Sequence, residues 1–122
     1  MAFSVDVVPR SDTTSANKLF FLNLGGYKPC DLEEYHFKLL TVAANKAEAI
    51  TSAKQTAFYL HTGFKGATSH IDDKYGVDVD DIYGIEEVMP KFLKEKYAVV
   101  IDPDTTLPAD ELHIGYLKLS SL

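Results

Sequence analysis

The chain has 122 residues, 46% hydrophobic and 25% charged, with a net charge of −6 and one cysteine, Cys30. That balance fits a single domain able to bury a core without a disulfide or metal staple, and one cysteine excludes any intrachain disulfide. No stretch is apolar over the length of a membrane span, and the acidity disfavours a phosphate backbone as ligand, so neither membrane nor nucleic acid is an expected partner.

Residues 1–16 read as an N-terminal extension, strand-like "FSVDVV" followed by polar "PRSDTTSA", either flexible or an added edge strand. Residues 17–122 read as one α+β domain. In it "KLFFLNL" (18–24) is apolar and aromatic, as a central strand is. Gly25 and Gly26 are expected to end it in a loop or bulge needing positive φ. "EYHFKLLTVA" (34–43) alternates at its start and should form an antiparallel hairpin with the first strand.

Asn45 with Glu48 three residues on is a capping-box pattern, opening a helix through "KAEAITSAKQTAFYLH" that Gly63 would stop. Strand-like "ATSHID" and "YGVDV" follow, with Asp73-Lys74 as a turn. Ile85, Val88, Met89, Phe92 and Leu93 repeat at helical spacing around Pro90, which predicts a helix starting near residue 87 or kinked at 90. "YAVVID" (97–102) and "ELHIGYLKL" (111–119) read as closing strands. The sum is a mixed β-sheet with two helices packed on it.

Chemistry concentrates in residues 70–84, "HIDDKYGVDVDDIYG". From Asp72 to Glu87 stand seven acids and one base, so this stretch alone carries the net charge of −6. It is not an EF-hand loop: counting from Asp72 puts Lys74 and Gly76 at the third and fifth positions, and from Asp78 puts Tyr83 where the glycine belongs. The plain reading is a solvated acidic edge, which also deters edge-to-edge association. Two sharper readings stand beside it. Tyr75, Asp78, Asp80, Asp81 and Tyr83 would make a contact surface for a basic protein or cationic ligand, with the tyrosines as anchors. Alternatively, the pairs Glu34/His36 and His70/Asp72, each two apart on a strand, would bind a divalent metal or act as acid and base.

Other chemistry is poorly supported. Gly25-Gly26 opens no helix and lacks the phosphate-binding patterns. Cys30 stands near Asp31, Glu33 and Glu34, whose charge disfavours a thiolate. No serine lies in a nucleophile elbow. The lone thiol, and the lack of a basic-then-apolar leader in "MAFSVDVVPRSD", point to the cytoplasm.

Leu24-Gly25-Gly26, the Glu34-x-His36 pair and His70-Ile71-Asp72, in that order over roughly residues 18–102, resemble the bacterial family catalogued as domain of unknown function 1543. The family has no assigned activity. The resemblance implies a β-grasp, or ubiquitin-roll, fold. It also implies an acid directly after the E-x-H, where this chain has Phe37. In such a sheet three inter-strand steps would hold Glu34/His36 and His70/Asp72 roughly 14 Å apart, beyond one shared metal.

The expected function is a small non-catalytic binding module with an acidic contact surface and no required cofactor. The alternative is a metal-binding protein or enzyme built on the two pairs. A dimer formed through a sheet edge is a third reading.

Overall fold

The structure, a computed structural model, describes residues 2–11, 15–27, 32–56, 77–108 and 118–121. Within them the chain is a small α+β fold with two antiparallel sheets and three α-helices. Strand β1 (Ala2–Pro9) pairs along its length with the later strand β5 (Tyr97–Asp104), from Ala2 opposite Asp104 to Pro9 opposite Tyr97. Strand β2 (Lys18–Tyr27) is the centre of the second sheet, flanked by β3 (Glu34–Ala43) and β4 (Val77–Gly84). Where one mixed sheet is expected, the described residues form two sheets in which every pairing is antiparallel, and the strands expected at 67–72 and 111–117 lie outside the described residues. Residues 2–9, in the segment read as either a flexible extension or an added edge strand, are a paired strand.

Period-two alternation sorts β2 into two faces. Phe20, Leu22 and Leu24 point into the core, and both leucines are fully buried. Phe37 and Leu39 from β3, with Val79 and Ile82 from β4, pack against them. Each buried leucine contributes about 1.5–3 kcal/mol relative to exposure. Helix α1 (Lys46–Ala53) lies on this face through Ala49 and Ala53, four residues apart and both fully buried. Two methyl-sized side chains let the helix backbone come close to the sheet. Asn45 caps α1: its Oδ1 accepts from the Glu48 N–H at 3.0 Å, while the Glu48 carboxylate accepts from the Ala44 N–H at 3.1 Å. The expected box forms, with its return bond one residue earlier than usual. Helix α1 ends at Ala53 with Lys54 as its C-cap, and residues 57–63 of the expected helical run and its stop lie outside the described residues.

Pro90 splits the second helical pattern. Helix α2 (Ile85–Val88) and helix α3 (Lys91–Lys96) are separated by Met89, held extended at φ −65° and ψ 139°. Proline disfavours helical geometry in the residue before it. The helix thus begins at Ile85, not near residue 87, and Val88 and Phe92 of the expected apolar stripe are exposed.

The strand also runs through Gly25 and Gly26, where the sequence reading expects a loop or bulge needing positive φ. Both are buried in β2, and Gly25 has no left-handed φ. Its lack of a side chain, rather than its backbone freedom, is what this position uses.

Candidate functional site

The face of the three-stranded sheet turned away from α1 carries the polar residues. On β3, Glu34 and His36 share this face by strand alternation, and His36 stands opposite Gly25. On β4 the alternation is broken. Asn23 pairs with Asp81 but Leu24 pairs with Val79, leaving Asp80 as the extra residue of a β-bulge. The bulge lets Val79 and Ile82, three residues apart, both reach the core while Asp80 is turned outward.

Asp80 and His36 meet there. His36 Nε2 lies 3.1 Å from Asp80 Oδ2 and 3.9 Å from Glu34 Oε1. One donor atom from each of the three residues falls within 4.8 Å of the others. The His36 side chain is 44% exposed and those of Glu34 and Asp80 are about half that, so the cluster is open to solvent on one side. Chemically it can hold a shared hydrogen-bonded proton or accept a cation.

Gly25 forms the floor. A Cβ built on it would come within 2.7 Å of Asp80 Oδ2 and 2.9 Å of Glu34 Oε1, closer than real Cβ contacts allow. The carboxylates fill the space that any other residue would occupy. Two inter-strand steps separate β3 from β4 by about 10 Å. The side chains bridge that span because nothing projects between them.

Beside the cluster, the Asp81 carboxylate accepts from Asn23 Nδ2 at 3.4 Å and from the Tyr83 hydroxyl at 3.1 Å. The Tyr83 hydrogen bond, with the negative charge of Asp81, raises the phenol above its ordinary pKa. The Tyr83 ring stacks on Phe21, centroids 6.4 Å apart and planes at 17°. Asn23 Oδ1 is a buried acceptor with no hydrogen-bond partner.

The expected residues therefore divide. Glu34 and His36 do share a face. Their second carboxylate comes from Asp80, which the sequence reading assigns to the contact surface. Asp81 and Tyr83 lie on the same face, hydrogen-bonded to each other. Asp78 is in β4 opposite Gly25. His70, Asp72 and Tyr75 lie outside the described residues. Asn23 was missed altogether. The pairing of His36 with Asp80 left one readable signal: Val79 and Ile82 are out of phase for a regular strand, which is the mark of a bulge.

A cavity of about 460 Å³ lies between the two sheets, lined by Arg10, Asn17, Phe20, Lys46, Glu86 and Ile101 among others. Four of its charged lining residues form two pairs. Arg10 stands 3.7 Å from Glu86 and donates to Tyr97 O at 2.9 Å, and Lys46 stands 3.0 Å from Glu87. Glu86 also accepts from the Val99 N–H at 2.9 Å. These bonds tie β1, α1, α2 and β5 together, so the sheet face is the better candidate for a ligand.

No helix among the described residues is long and apolar enough to cross a membrane. Comparison with family models, curated proteins and solved structures finds no match.

Proposed function

We propose that this chain is a cytoplasmic, non-catalytic binding module whose ligand is cationic and whose contact surface is the sheet face turned away from α1. The observation that carries this reading is the convergence of Glu34, Asp80 and Asp81 with His36 and the stacked Tyr83–Phe21 pair on one face. Carboxylates supply attraction for a cation, and an aromatic pair supplies a rigid apolar anchor beside them. The lone cysteine supports the compartment. The β2–β3 hairpin with α1 laid across one face supports a β-grasp type of fold, and with it the resemblance to domain of unknown function 1543.

The test is a titration of labelled protein with a tetralysine peptide, followed by backbone amide shifts. Shifts should concentrate in residues 21–25, 34–38 and 78–83, and the double variant Asp80→Lys/Asp81→Lys should abolish them. Shifts confined to β1 and β5, or unaltered by the variant, would count against the reading.

A further inference from the structure

We infer that Glu34, His36 and Asp80 bind a divalent transition metal ion of the zinc class, with Gly25 as the floor of its site. The inference rests on reading this face as the binding surface and names the cation it takes. Two observations carry it.

The first is the donor set. His36 Nε2 to Asp80 Oδ2 is 3.1 Å and His36 Nε2 to Glu34 Oε1 is 3.9 Å. Zinc bonds to nitrogen and oxygen are about 2.0–2.2 Å, which sets neighbouring ligand atoms about 3.4 Å apart in a tetrahedral shell. Small side-chain rotations would close that difference. An imidazole nitrogen between two carboxylates suits zinc and its neighbours in the first transition row. Calcium asks for six to eight oxygens, more than this cluster supplies.

The second observation is the floor. Both carboxylates sit where a Cβ on residue 25 would be. Simple surface acids need no such recess. Here the recess draws two negative groups from opposite flanking strands toward one imidazole, an arrangement that a cation between them stabilises.

The test is calorimetric titration of tag-free, chelator-stripped protein with Zn²⁺ at neutral pH, with circular dichroism as the check on folding. One ion per chain is expected. His36→Ala and Asp80→Asn should each weaken binding at least tenfold, and Glu95→Gln, remote from the face, should leave it unchanged. Gly25→Ala keeps all three ligands and provides an independent variant that should also weaken it. The inference is overturned if the folded protein takes up no stoichiometric zinc, if binding survives both ligand variants, or if it depends on His70 rather than Asp80. Should zinc fail while tetralysine still maps to the face, the metal assignment alone falls. Should both fail, the reading of the face falls with it.

Discussion

Replacing Gly25 by alanine places a methyl group 2.7 Å from Asp80 Oδ2 and 2.9 Å from Glu34 Oε1. To restore ordinary van der Waals separation, the two oxygens must withdraw by about 0.7 and 0.5 Å. Both are the free ends of rotatable side chains at a partly exposed surface, so withdrawal costs about 0.5–1.5 kcal/mol at most for an off-rotamer angle. Alanine also removes freedom from the unfolded chain, which returns about 0.4–1 kcal/mol. These terms nearly cancel, because Gly25 needs no positive φ. Stability should therefore change by less than about 1 kcal/mol. Metal binding should not be so tolerant, since ligand distances are held to within about 0.2 Å. A displacement several times that tolerance predicts a zinc affinity reduced by about 10- to 100-fold, comparable to losing a residue that orients a ligand. Urea unfolding and zinc calorimetry on the same preparation read the two effects separately. Equal losses in both would mean that Gly25 serves only the packing of the sheet. An unchanged affinity would refute the idea that the recess shapes the site.

Three further outcomes are expected. Asn45→Ala removes the cap of α1 and should cost about 1 kcal/mol in urea unfolding, the bond at risk being the one to the Glu48 N–H. Asp81→Asn should bring the Tyr83 phenol down toward its ordinary pKa, because Asp81 is what raises it; an unchanged ultraviolet titration would show that the hydrogen bond is not formed in solution. The Glu87 carboxylate is held below its ordinary pKa first by its hydrogen bond with Lys46 and then by the Gly84 N–H. A depressed folded value means that its contribution to stability is complete above the unfolded pKa and is lost as pH falls through the folded one, so Glu87→Gln should flatten the acid side of the stability profile and leave that profile's shape unaltered at alkaline pH.

Much of the fold was legible from local pattern. The apolar, aromatic run of residues 18–24 identified the central strand, and Asn45 with Glu48 identified the start of α1. What local pattern could not give was which strands lie side by side. Glu34 and His36 were found as a pair because strand geometry places residues two apart on one face. Their partner was sought at His70 and Asp72 because those repeat the same spacing. The described partner, Asp80, has no spacing to offer. It is turned outward by a bulge and meets His36 only because β2 alone separates the two strands. Gly25 and Gly26 were misread for a related reason. A glycine pair is most often a turn, and nothing local distinguishes a glycine kept for its conformation from one kept for the space above it. Pro90 was read correctly as a disruption, yet its effect, two short helices instead of one kinked helix, depended on Met89 taking an extended conformation.

The most direct measurement is anomalous diffraction from crystals grown with Zn²⁺, collected on both sides of the zinc absorption edge. The account predicts one ordered peak above Gly25, about 2.0–2.2 Å from His36 Nε2 and from a carboxylate oxygen of Glu34 and of Asp80. A peak elsewhere on the chain, or no peak with the three side chains turned away from one another, would contradict it.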